Sequence, residues 1–146
     1  MRTAKDMEAM NIFAAVPRDK VMAQKFLAAA DRKAKDAQIE ALSYDSRVEA
    51  TYDALYNLAS AVLACLGYRS ACADSHHLMV LEAVCAEVHA PQELFTRVDA
   101  LRKIRNMKYN GATRCLNDYK VAAVILEDFS ARVERWLAHN LPVLFR

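Results

Sequence analysis

Apolar residues along this chain recur mostly in steps of three and four, the period of an amphipathic helix. No segment alternates apolar and polar residues as a half-buried strand does. Five main helices follow from this period and from the residues that interrupt it. Residues 18–42 predict a long first helix after Pro17, carrying Val21, Phe26, Leu27, Ala30, Ala34, Ala37 and Ile39, with Asp31, Lys33, Lys35 and Asp36 on a solvated face. Residues 43–46 break the pattern. Ser46 followed by Glu49 then fits a capping box, in which hydroxyl and carboxylate satisfy orphan backbone N–H groups. The second helix has the cleanest stripe: Val48, Tyr52, Leu55, Tyr56, Ala59, Val62, Leu63 and Leu66 share one face. Gly67 is placed to end it in the left-handed conformation. Asp74 or Ser75 starts a third helix through His76, His77, Leu78, Leu81, Val84, Cys85 and Val88. Ala90 and Pro91 close it and put proline in the first turn of a fourth helix, from residue 92 to about residue 109, ending at Asn110-Gly111. Thr113 is the expected cap of a fifth, with Tyr119, Ala122, Leu126, Phe129, Val133, Trp136 and Leu137 along its seam.

Composition narrows the alternatives. The 146 residues suit one domain, and two glycines with three prolines cannot readily supply the turns of a sandwich or barrel, nor a Gly-rich phosphate loop. All-β, Rossmann and P-loop classes are therefore set aside. The expected fold is all-α, an up-and-down bundle of four to five antiparallel helices over residues 18–140. Residues 1–17 precede it as an extension holding a short helix or little order, and residues 141–146 follow as an apolar tail. The four cysteines, Cys65, Cys72, Cys85 and Cys115, form no C-x-x-C pair and do not cluster with histidine. They read as small buried hydrophobes of a reducing compartment, and neither metal nor cofactor is expected. No apolar stretch has the form of a signal peptide or the length of a membrane span, so a soluble, cytoplasmic protein without a membrane partner is expected.

The pattern breaks in the fourth helix. Leu94, Val98 and Leu101 form its buried stripe, and Arg105 falls within about 20° of the Leu94 direction at ~100° per residue. An arginine on a seam needs a carboxylate or a solvated cleft. Glu49, Asp53, Glu82 and Asp118 are the candidate partners. A structural arginine, snorkelling or ion-paired, is one outcome, and a polar functional site is the other. The charge distribution leans towards the second. Residues 97–120 hold seven basic and two acidic side chains, +5, whereas the remainder holds thirteen against sixteen, −3, within a net charge of +2.

The stretch 101–111, LRKIRNMKYNG, resembles the signature helix of HEPN domains (higher eukaryotes and prokaryotes nucleotide-binding). More narrowly, it is similar to a subgroup whose helix reads arginine-asparagine, then tyrosine and glycine a few residues on. The long charged first helix, the Tyr52–Tyr56 stripe ending in Gly67-Tyr68-Arg69, and the His76-His77 pair fit as well, so the resemblance covers residues 18–138. It implies a four- to five-helix bundle that is usually a homodimer. Many members are metal-independent RNases, often the toxin half of a toxin–antitoxin or defence system. Such a chain is partnered by a cognate antitoxin or a nucleotidyltransferase-type protein.

The family's RNase motif is arginine, a polar residue, then histidine a few positions later. Arg105 and Asn106 match its first two positions, but Tyr109, Asn110 and Gly111 stand where the histidine would fall. Asparagine exchanges no proton near neutral pH, and an unperturbed tyrosine titrates near ~10. The leading expectation is a nucleic-acid- or nucleotide-binding module without the family's usual RNase activity. Arg105 engages phosphate, Asn106 orients it or the ligand, and Tyr109 closes or stacks on the site. Arg102, Lys103 and Lys108 add electrostatic support, with Asn110 interleaved. An alternative is an RNase using Arg105, Asn106 and a histidine from His76 or His77, which splay about 100° apart so that one at most points inward. A third is a non-enzymatic module whose basic segment and apolar tail bind a protein. Dimerisation is expected through the helices bearing Arg105 and the Tyr52/Tyr56 stripe.

Overall fold

In the computed structural model, which describes residues 1–71, 76–107 and 113–146, the elements follow in the order α1 (Ala4–Ala9), β1 (Phe13–Ala15), α2 (Lys20–Ala37), α3 (Tyr44–Leu66), β2 (Tyr68–Ser70), α4 (His77–Glu87), α5 (Gln92–Asn106) and α6 (Leu116–Leu144). The protein is mostly helical, with six helices among the described residues. Helix α3 is its axis. Beyond the expected stripe it buries Ala50, Ala54, Ala61 and Cys65 on further faces, because other helices cover it on more than one side. Helix α2 buries Ala23, Ala30 and Ala37, a seven-residue repeat of small side chains that suits close approach to α3. The Asp19 N–H donates to the Ala64 carbonyl (3.1 Å) at one end, and Arg47 Nε donates to the Ala37 carbonyl (2.8 Å) at the other. The pair is therefore antiparallel.

The remaining helices depart from strict up-and-down order. Helix α4 starts where His77 meets Tyr52, in the first half of α3, and ends where Glu87 shares a cleft with Leu66, the last residue of α3. It thus runs in the same sense as α3. Helix α5 returns to bring Arg105 to Tyr52. Helix α6 reverses again, with Arg97 on Asp128 at 2.9 Å, so it too follows the sense of α3.

A two-stranded antiparallel sheet corrects the all-helical expectation. Phe13 pairs with Ser70, Ala14 with Arg69 and Ala15 with Tyr68. Strands of three residues are too short to show a period of two, so the pattern concealed them. Their junction depends on Gly67, which caps α3 at φ +84°. Its carbonyl accepts from Val16 N–H at 2.9 Å, and a Cβ there would meet the Val16 oxygen at 2.6 Å. The N-terminal segment is packed, with Met7 and Phe13 buried in the core.

Several ends also differ from expectation. Ser43, not Ser46, caps α3, its hydroxyl accepting from the Ser46 N–H at 3.1 Å; the helix starts at the earlier available hydroxyl. Helix α2 ends at Ala37, leaving Ile39 and Leu42 exposed. Pro91 occupies the cap of α5 rather than its first turn, and Cys115 rather than Thr113 caps α6. Residues 141–144, expected in a separate tail, continue α6, and Leu141, Leu144 and Phe145 lie against the core. Asp74, Ser75 and Cys72 lie outside the described residues, as does the Asn110-Gly111 stop. Among the described cysteines, Cys65 and Cys85 are buried as expected, but Cys115 is exposed.

Candidate functional site

Helix α3 sets Tyr52 and Tyr56 one turn apart on a single face, and the first residue of α4, His77, docks against both. The Tyr52 hydroxyl and His77 Nδ1 share a hydrogen bond of 2.7 Å. The His77 ring stacks on Tyr56 with centroids 3.9 Å apart and planes inclined by 22°. From the other side α5 delivers Arg105, whose guanidinium carbon lies 5.6 Å from the centre of the Tyr52 ring, within cation–π range. Three helices thus converge on Tyr52, which is completely buried. The two tyrosines were legible as a core stripe. Their role as the seat of His77 was missed, although paired aromatics in an otherwise aliphatic stripe were the available signal.

The cluster is partly buried and biased towards positive charge. Burial pushes the Tyr52 hydroxyl far above the usual phenol range, opposed by the charges of Arg105 and Arg102, and burial raises Tyr56 as well. His77 is lowered, first by burial and then by Arg105 and Arg102, so the imidazole is neutral at pH 7. With Nδ1 committed to Tyr52, Nε2 is the ring nitrogen left for solvent or a ligand.

Arg105 itself is half-buried. Among the described residues its Nε is a buried donor with no hydrogen-bond partner, and the side chain forms no ion pair. Of the carboxylates considered from sequence, Glu82 is held by Arg2 at 2.7 Å, and Asp118 accepts from the Cys115 N–H at 2.8 Å. Those bonds to Cys115 hold the Asp118 carboxyl below the usual range.

The other expected site residues divide. Arg102 Nε reaches Asp99 at 2.8 Å and Lys103 Nζ reaches the same carboxylate at 3.3 Å, so one anion offsets two cations. Asn106, the last residue of α5, is exposed at the open end of the cluster. His76 caps α4 without a side-chain capping bond, and His77 is the one of the pair that joins Arg105 around Tyr52. Lys108, Tyr109 and Asn110 lie outside the described residues. Sequence reasoning also missed Arg114. Its guanidinium bonds the Asp45 carboxylate at 3.3 Å and the Ile104 carbonyl, tying the starts of α3 and α6 to the end of α5.

A separate cavity of about 480 Å³ is lined by Tyr56 as well. Among the described residues no group of three or more His, Cys, Asp or Glu side chains is placed to hold a metal ion, and no helix is long and apolar enough to cross a membrane. No protein-family model, curated protein or solved structure matches the chain.

Proposed function

We propose that the chain is a HEPN-like nucleic-acid- or nucleotide-binding module in which Arg105 takes a phosphate group. The observation that carries this reading is the buried, unpartnered Nε of Arg105. A desolvated donor on a cation costs about 1–3 kcal/mol or more until an acceptor arrives, and phosphate oxygens match the guanidinium fork. Tyr52 holds the guanidinium from below. Asn106 follows it as the exposed last residue of α5, and Arg102 with Lys103 retains one net positive charge next to Asp99. Fluorescence anisotropy with a labelled single-stranded RNA, and competition by AMP, test the assignment. Arg105→Ala is expected to weaken binding by about tenfold or more, with partial recovery in Arg105→Lys. Equal binding by the wild type and Arg105→Ala would remove Arg105 from the site.

A second reading, a metal-independent RNase, is favoured by the convergence of His77 and Arg105 on one tyrosine. In that chemistry His77 is the neutral tautomer whose Nδ1–H donates to the Tyr52 oxygen, and its free Nε2 takes the proton from a ribose 2′-hydroxyl. The freed oxygen attacks the adjacent phosphorus, and the 5′-oxygen leaves with a proton taken from water, giving a 2′,3′-cyclic phosphate and a 5′-hydroxyl end, and the protonated His77 returns its proton to solvent. Arg105 offsets the charge that develops on the phosphoryl oxygens. Cleavage of labelled RNA in the presence of a chelator, lost in both His77→Ala and Arg105→Ala, is the expected result. RNA bound but uncut at high protein concentration leaves the binding module and sinks the nuclease. The same family reading carries a homodimer and a cognate antitoxin or nucleotidyltransferase-type partner. Light scattering and relief of growth arrest on co-expression are their tests.

A further inference from the structure

The cavity beside the cluster is separate from the Arg105 face and has its own chemistry. Its walls are the start of α2, the second half of α3, strand β2 and Val80 of α4, and its lining is mostly apolar, with Met22, Phe26, Tyr56, Leu63 and Val80 among it. At about 480 Å³ it falls in the range that holds small organic ligands. The walls are fixed by the backbone. Val16 N–H bonds the Gly67 carbonyl and Asp19 N–H bonds the Ala64 carbonyl, so the segment leading into α2 is fastened to the end of α3 at two points. The absence of a Cβ at Gly67 permits that approach. This is a preformed hollow rather than a seam between sliding helices.

Its polar groups are unevenly distributed. Arg18 and Arg69, both exposed, line the cavity and form no ion pair among the described residues. The acidic residue of the lining, Asp19, is engaged in capping α2, accepting from Met22 N–H at 2.9 Å. Two arginines against one carboxylate leave one net positive charge over an apolar interior. Met22 remains 41% exposed there, a large apolar side chain open to water. An apolar body with a single anionic head satisfies both features, whereas a neutral ligand leaves the arginines unused and a cation opposes them.

We infer that this cavity is a binding site for a small amphipathic anion, its apolar part against Phe26, Leu63 and Tyr56 and its carboxylate-type head at Arg18 and Arg69. The site is independent of the phosphate reading of Arg105. Tyr56 connects the two, because the ring that lines the cavity also stacks on His77.

The test is a fluorescence titration of the full chain with 1-anilinonaphthalene-8-sulfonate, followed by displacement with decanoate and with 1-decanol below their aggregation concentrations. Saturable binding is expected, with decanoate displacing the dye about tenfold better than decanol, the order of one charge-assisted contact. In the Arg18→Ala/Arg69→Ala double variant that advantage shrinks to about threefold or less, while decanol is unaffected. Ala64→Trp, which fills the cavity, abolishes dye binding while the helical circular dichroism is retained. Met22→Glu, an exposed substitution with little consequence for folding, weakens the dye and decanoate more than decanol. Absence of saturable binding, equal displacement by decanol, or dye binding unchanged in both Ala64→Trp and Met22→Glu would overturn the proposal.

Discussion

His77 carries the most consequential titration in the molecule, because burial and two arginines hold its pKa below 6.5 in the folded chain. Above the unfolded value both states carry a neutral ring and folding is indifferent to pH. As pH falls through about 6.5 the unfolded chain takes up the proton first, so stability is lost until the folded form protonates as well. Thermal melts between pH 8 and pH 5 are expected to show this loss, and His77→Gln is expected to flatten it. A wild type and variant that track each other across the range would place His77 in ordinary solvent. Its partner gives a second expectation at this scale. Tyr52→Phe removes the hydroxyl and leaves the part-buried Nδ1 without its partner, at a cost of about 1–2 kcal/mol measured by denaturant unfolding. The Arg105 anomaly was legible residue by residue, since an arginine on a leucine stripe violates the helical period. The Tyr52–His77 bond was not, because nothing local to 76–77 says which ring of a distant helix it will meet.

At the scale of elements, the stop signals located most helices because glycine, proline and small hydroxyls act through the backbone they sit on. Gly67 is the clearest case. The conformation it was expected to supply is present, and the sheet adds a second demand that no helical pattern encodes: its missing Cβ lets the Val16 carbonyl approach. Gly67→Ala is therefore expected to cost more than the ~1–2 kcal/mol of a left-handed L-residue alone, because the strand junction must shift too. A calorimetric melt lowered by several degrees is the readout, and a melt within one degree of the wild type would show the junction to be pliable. Arg114 has a comparable role at the other end of the bundle. Its bond to the Ile104 carbonyl satisfies an acceptor in the last turn of α5 and places positive charge at that helix terminus. Arg114→Ala is expected to destabilise by about 1–3 kcal/mol, and hydrogen exchange should quicken selectively at the end of α5. No periodicity argument reaches this residue, which lies between helices and acts across three of them.

For the molecule as a whole, folding redistributes the charge that the sequence displays as a basic block. Residues 97–120 carry a surplus of +5, yet Arg97 is turned to Asp128, Arg114 to Asp45, and Arg102 and Lys103 to Asp99. Two of those three carboxylates lie outside the block, supplied by the acidic remainder of the chain. Among the described residues of the block, Arg105 keeps its charge unpaired at the convergence of three helices, Arg102 with Lys103 adds about one more, and the exposed Lys120 on α6 also forms no ion pair. This separates a broad polycationic surface from a focused phosphate site, and salt resolves the two. Each phosphate neutralised on a single strand contributes about −0.7 to the slope of log K against log salt. A surface using the whole surplus gives a slope near −3.5 by that relation, whereas a site made of Arg105 and the one net charge of Arg102 and Lys103 predicts about −1.4. Arg105→Ala should flatten it by about 0.7, and Arg97→Ala, whose charge already answers Asp128, should leave it nearly unchanged. Anisotropy titrations of a short RNA over a tenfold range of salt measure all three slopes. A steep wild-type slope that drops equally in both variants would mean that the ion pairs open on binding and that the block acts as one basic face.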